Sequence, residues 1–285
     1  MLKGPFLSKD WMGANSSYEV SSWVMLGLPY DGTCSNKSGT KFAPQAIRTA
    51  SFALEEYSPV FDRELCETNF FDAGDLDLPL GNRDKSLAII EDNIKNILLD
   101  NKKVFSIGGE HLVSLPAIKA YYNKYEDLHV VHFDAHCDLR ENYLGEKLSH
   151  ACVIRRVLDF LPTKNLFQIG IRSGEKSEFE LMKINNTLIK TKENKEQMFK
   201  SLQNKPVYLT VDIDVLDTSV VAGTGTQEAG GMQFNELIAY FKELKNNDIN
   251  IVGMDLVELS PDYDASGAST AVAVKIAREM LLAFC

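Results

Sequence analysis

The run Val130-Val131-His132-Phe133-Asp134-Ala135-His136-Cys137-Asp138 constrains the fold more than any other stretch of the chain. Its apolar half reads as a buried strand, and it passes without a break into Asp134, His136 and Asp138, metal-ligand types at every second position. In extended backbone, side chains at i, i+2 and i+4 point the same way. Two carboxylates and an imidazole therefore converge on one spot, a costly crowding of like charge unless a cation is held there.

Similar apolar runs read as strands at 22–28, 69–72, 103–107, 128–133, 166–171, 207–213 and 249–256. Helical periodicity fills the intervals, at 44–56, from a cap at Asp84 through Leu98, and at 115–122, 150–160, 175–185, 193–203, 234–245 and 267–284. A short apolar piece, 187–189, separates two surface helices. Strands that are apolar throughout and alternate with helices indicate a parallel sheet covered on both faces. No linker, repeat or low-complexity segment interrupts the pattern. The expectation is one α/β domain over residues 1–285, three layers deep, with a mostly parallel sheet of about eight strands.

A formal net charge of −10 argues against nucleic acid or an anionic membrane as partner and suits a small cationic substrate. Five cysteines without a CxxC pair fit a reducing compartment. Residues 1–22 hold no continuous apolar leader and no stretch approaches a membrane span, so the cytoplasm is the expected setting.

Ligands of open parallel sheets gather at the carboxyl ends of the strands. His111 follows one strand, Asp134, His136 and Asp138 another, Asp212 and Asp214 a third. Two imidazoles and four carboxylates suit two divalent cations with shared carboxylates. Oxygen-rich ligation without thiolate favours manganese over zinc and leaves cobalt, nickel and iron open. Glu258 ends another strand facing the same crevice. His132 reads as a hydrogen-bonded core histidine, His129 as a surface residue and Cys137 as a packed thiol. Gly223-Thr224-Gly225-Thr226 lacks the residues of a phosphate loop and reads as rim.

Gly108-Gly109-Glu110-His111, HFDAHCD and Asp212-Ile213-Asp214-Val215-Leu216-Asp217 resemble the three metal motifs of the ureohydrolase family, which includes arginase and agmatinase. The segments 27–33, 39–48 and 255–258 resemble further family motifs, in the same order. The resemblance implies two Mn2+ per chain, one held by His111, Asp134, Asp138 and Asp212, the other by Asp134, His136, Asp212 and Asp214. It implies attack of a bridging hydroxide on a guanidinium carbon, with His150, Glu258 and Asp214 as catalytic residues and His150 as proton shuttle to the departing amine. It also suggests a homo-oligomer, a trimer or hexamer. The 217–231 loop departs from the family's proline-rich form at Thr218, Ala222, Gln227 and Ala229.

Residues 138–150 should cover the substrate's far end. They lack the Asn/Thr/Ser-rich loop of arginase and resemble the agmatinase version, offering Glu141, Tyr143 and Glu146 to a positive amine. Arg140 is the counter-evidence, since a guanidinium could bind the carboxylate of 4-guanidinobutanoate. The implied reaction is agmatine to putrescine and urea, with substrate contacts at Glu258, His150, Glu141, Tyr143 and Arg140. Guanidinobutyrase or arginase activity is the alternative. A one-zinc deacetylase of the same fold would not need His111 and Asp138 as ligands, and a silent binding protein would be expected to have lost a ligand.

Overall fold

The computed structural model describes residues 11–14 and 16–285. The leader reading for residues 1–22 therefore falls in part outside the described residues. Eight strands form one sheet: β1 (Trp23–Leu28), β2 (Phe70–Asp75), β3 (Lys103–Gly108), β4 (His129–Phe133), β5 (Leu166–Ile169), β6 (Leu188–Ile189), β7 (Pro206–Asp212) and β8 (Asn250–Val257). Their order is β2-β1-β3-β8-β7-β4-β5-β6, and every neighbouring pair is parallel.

Helices cover both faces because both faces are apolar. Met25, Phe105, Phe133 and Leu209 join one buried cluster with α1 (Ala43–Ser51), α6 (Lys192–Leu202), α7 (Phe234–Asn246) and α8 (Ala268–Phe284). Val24, Val104, Val130 and Tyr208, of opposite parity, pack with α2 (Arg83–Leu99), α3 (Ser114–Lys124), α4 (Val153–Val157) and α5 (Lys176–Asn185). Each fully buried Leu, Ile or Phe contributes about 1.5–3 kcal/mol to this arrangement. The α/β architecture expected from the sequence is present, and its sheet is wholly parallel.

Several local readings differ. The short piece 187–189 pairs with β5 as the edge strand β6. Asn82, two residues before Asp84, caps α2 by accepting from the Lys85 amide. The helix read at 150–160 is a short 3-10 turn, His150–Cys152, followed by α4. Tyr57–Ser58 and Arg63–Glu64 form a small hairpin beyond the expected end of α1. His129 is buried rather than exposed, its Nδ1 2.9 Å from the Asp127 carbonyl and its ring stacked on Phe167.

Of the strands that end in candidate ligands, β3 and β7 flank β8 and β4 lies beyond β7, in the order β3-β8-β7-β4. Adjacent strands are about 4.8 Å apart, so their carboxyl ends deliver side chains to one crevice. Gly109, just after β3, lets the turn that follows β1 lie against it. A Cβ there would sit 1.9 Å from the Tyr30 carbonyl oxygen. The 217–231 loop is held by side chains. Asp217 accepts from the amides of Ser219, Gly230 and Gly231. Arg172 donates to the carbonyls of Asp214, Val215, Glu228 and Ala229, and the Ser269 hydroxyl accepts from Ala222 and Gly223.

Candidate metal centre

The strand before the first ligands stops at Phe133, and residues 134–138 leave it as irregular backbone. Convergence of Asp134, His136 and Asp138 therefore owes less to strand alternation than the sequence implies. Asp138 turns back through a left-handed φ of 52°, and His136 makes a single bridge to Ser173. Glu258 has φ 68°. Two non-glycine residues in this region within one site are a strain the surrounding hydrogen bonds must hold.

Three carboxylates share a pattern. One oxygen of each is tied to backbone, and the other points inward. Asp134 Oδ1 accepts from the His136 amide at 2.5 Å, Asp212 Oδ1 from the Asp214 amide at 2.9 Å and Asp214 Oδ1 from the Ala135 amide at 3.0 Å. The Oδ2 atoms of Asp134, Asp138 and Asp212 stand 3.1, 3.2 and 3.4 Å from His111 Nδ1. Asp214 Oδ2 lies 3.0 Å from His136 Nδ1, which is also 3.5 Å from Asp134 Oδ1. Two potential ligand groups, His111 with His132, Asp134 and Asp138, and His136 with Asp134 and Asp214, meet at Asp134.

His111 tests whether these residues fit a cation. Its Nε2 is 3.0 Å from the Thr210 hydroxyl, which donates to Asp255 at 2.7 Å and so must accept from the ring. That fixes one proton on Nε2 and leaves Nδ1 as the position that takes either a second proton or a metal. Nδ1 is buried without a hydrogen-bond partner, aimed among three carboxylate oxygens. A nitrogen aimed at three carboxylate oxygens needs a proton or a metal cation between, and the Asp255-Thr210-His111 chain orients the ring as supports of metal-bound imidazoles do. The donor set fits divalent metal.

The electrostatics without metal agree. Burial would lower the His111 ring, but Asp134, Asp138 and Asp212 raise it well above its ordinary value. Against the same burial, Asp214 and Asp134 push His136 up to about 12. Burial and then Asp214 and Asp134 raise Asp212 well above the carboxylate range, and Asp214 is raised by burial and Asp134. Burial favours a protonated Asp134, yet His111 and His132 beside it hold it well below the usual range. His132 is the core histidine expected, with Nε2 2.8 Å from Asp134 Oδ2 and Nδ1 facing the Gln168 amide.

Above these residues lies a cavity of about 190 Å3 lined by His111, His136, Asp138, Asp212, Asp214 and Glu258, and by His150, Arg140 and Tyr143. Glu258 accepts from the His111 amide at 2.7 Å, and burial followed by Glu110 raises its carboxyl. His150 sits with Nε2 3.2 Å from the Ser35 hydroxyl and its ring edge-on to Tyr143, and burial lowers its pKa.

Glu141 does not reach the cavity, which corrects the expectation that it contacts substrate. Arg155 and Arg156 hold its carboxylate outward at 3.0 Å each, because both arginines are presented by α4 on the far side of the loop. Glu146 is bound to Arg83 at 2.6 Å beside a neighbouring cleft. Arg140 lines the cavity but is paired with Glu175 at 2.8 Å. Beyond the ligand cluster and Glu258, the acid lining the cavity is instead Glu178, in the first turn of α5, buried, raised by that burial, and accepting from the Leu139 and Glu175 amides at 2.8 and 2.7 Å. The sequence held no signal for it, since α5 lies about forty residues downstream of the loop. Thr210 and Asp255 could have been read, since Thr210 shares the parity of Asp212 on β7.

The arginase-family sequence model matches residues 21–283. An agmatinase of Bacillus subtilis (strain 168) is 45% identical over 282 residues, covering 98% of this chain and 97% of its own length. The structure of a candidate agmatinase from Clostridium difficile superposes with a TM-score of 0.90 at 46% identity, covering 94% of this chain and 98% of that one. The agmatine ureohydrolase of Thermoplasma volcanium gives 0.87 at 30% identity, with 98% and 94% covered. Sequence motifs, sheet order and full-length similarity converge, and the chain belongs to the arginase family.

Proposed function

We propose that this chain is an agmatinase, hydrolysing agmatine to putrescine and urea with two manganese ions, and that residues 1–285 act as one catalytic unit. The observation that carries the reading is the cluster of carboxylates and imidazoles lining a cavity that also carries the buried acid Glu178. Full-length similarity to agmatinases supports the same substrate. His111, Asp134, Asp138 and Asp212 would hold one cation, and Asp134, His136, Asp212 and Asp214 the other. Such a pair supplies Lewis acidity and a water acidic enough to react near neutral pH. Free thiols at all five cysteines agree with a cytoplasmic setting, and assembly with further copies completes the reading.

The chain's own residues account for the remaining steps. Glu258 binds the guanidinium, whose planar donors match a carboxylate edge. His150, neutral near pH 7 because burial lowers it, takes a proton at its ring nitrogen and delivers it to the leaving amine. The substrate's distal ammonium lies toward Glu178. Arg140 does not offer a free cation to a carboxylate, since Glu175 already neutralises it. An ammonium beside Glu178 gains a partner, whereas a carboxylate there meets a like charge.

Two results test this. The kcat/KM for agmatine should exceed those for arginine and 4-guanidinobutanoate by about a hundredfold or more, a gap of ~3 kcal/mol. Comparable turnover of 4-guanidinobutanoate would overturn the substrate assignment. Glu178→Gln should raise KM for agmatine about tenfold with kcat little changed. An unchanged KM would remove Glu178 from recognition.

A further inference from the structure

The turn that follows β1 and the loop that carries His150 are far apart in sequence, yet they meet at one side chain. Glu110, wholly buried beside the candidate ligand His111, takes both of its carboxylate oxygens to Thr33. The Thr33 amide donates to Oε1 at 3.1 Å and Oε2 at 2.9 Å, and the Thr33 hydroxyl donates to Oε1 at 2.6 Å. With its one proton spent on Glu110, that hydroxyl can only accept from the other side. It does, from the His150 amide at 3.1 Å. Two residues further on, Ser35 stands 3.2 Å from His150 Nε2.

We propose that Thr33 is a positioning residue for this reaction: the Glu110-Thr33-His150 chain fixes the backbone of His150 to the strand end that carries His111. The inference rests on the role given to His150 under the proposed function. Its physical content is directional. A carboxylate accepts and an amide donates, so only a hydroxyl between them can satisfy both, and serine can replace threonine while valine cannot. The tie also explains why the β1 turn runs so close to Gly109. The Glu110 amide donates to the Tyr30 carbonyl at 2.8 Å, which keeps residues 30–33 within reach of the Glu110 side chain. Glu258 is fastened to the same segment, its amide donating to Gly109 O at 2.9 Å. The strand end of β3 therefore holds a candidate ligand, the guanidinium acceptor and the proton carrier in one frame.

The test compares the manganese-loaded full chain with its Thr33→Val and Thr33→Ser variants, by agmatine kinetics, metal content and crystal structure. Thr33→Val should lower kcat about tenfold or more, leave KM within about threefold and keep the wild-type metal content. In its structure the His150 segment should be displaced relative to His111, while Thr33→Ser should restore both position and kcat. Loss of metal in Thr33→Val would overturn the proposal by moving the role of Thr33 to the ligands. Equal defects in Val and Ser, or a Val variant with full kcat and an undisplaced His150, would overturn it as well. If wild type releases no urea from agmatine, the proposed function fails, and the structural comparison still decides the Thr33 chain.

Discussion

Replacing Asp134 with asparagine is expected to abolish metal binding and activity together, lowering urea release by about a thousandfold or more, ~4 kcal/mol in the barrier. The residue is wholly buried and belongs to both potential ligand groups. Its Oδ1 takes the His136 amide, while Oδ2 faces His132 at 2.8 Å and His111 at 3.1 Å. An amide nitrogen in either place aims a donor at an existing donor or at a cation, and it removes one of the negative charges that balance the metal. The fold should survive, because the sheet is held by two extensive apolar clusters that do not include this side chain. Metal analysis and circular dichroism on the same sample check both halves. An Asp134→Asn protein with full metal content would contradict the ligand assignment.

The same cluster sets a pH dependence. In the metal-free protein His111, His136, Asp212 and Asp214 all have raised pKa values and so hold protons more tightly than they would in water. Metal must displace those protons, so binding releases them and affinity rises with pH. Calorimetry in buffers of different ionisation enthalpy should show net proton release at neutral pH, and net uptake would contradict the assignment.

His150→Ala has the second large effect and separates chemistry from metal binding. Its contacts are the Thr33 and Ser35 hydroxyls, Ser149 and the Tyr143 ring, none of them a candidate ligand. Metal content should therefore stay at the wild-type level. A positioned proton carrier contributes about 100- to 10,000-fold, and kcat should fall within that range while KM changes less. A His150 variant that lost metal would show that the residue supports the ligand cluster instead.

The candidate ligands are legible because aspartate and histidine at strand ends stand out against apolar runs. The parallel sheet was legible from those runs themselves. The strand order was not, since it depends on where each crossover lands, and only that order puts β8 between β3 and β7 so that Glu258 enters the site. Left-handed turns at Asp138 and Glu258 carry no residue-type signature, because neither is glycine. The 140–146 loop misled for a related reason. Its acids look free in sequence, but Arg155, Arg156 and Arg83 arrive from other elements and hold Glu141 and Glu146 at the surface. Glu178 and the Thr33-Glu110 pair are legible only once α5 and the β1 turn have been placed.

The central claim is that a two-metal site in this chain hydrolyses agmatine. Its most direct test is urea release from agmatine as manganese is titrated into metal-free protein, with bound metal counted in each sample. The expected result is activity that climbs to a plateau at two manganese ions per chain, with putrescine formed in equal amount to urea. Two bound ions and no urea, or full activity at one ion per chain, would contradict the account.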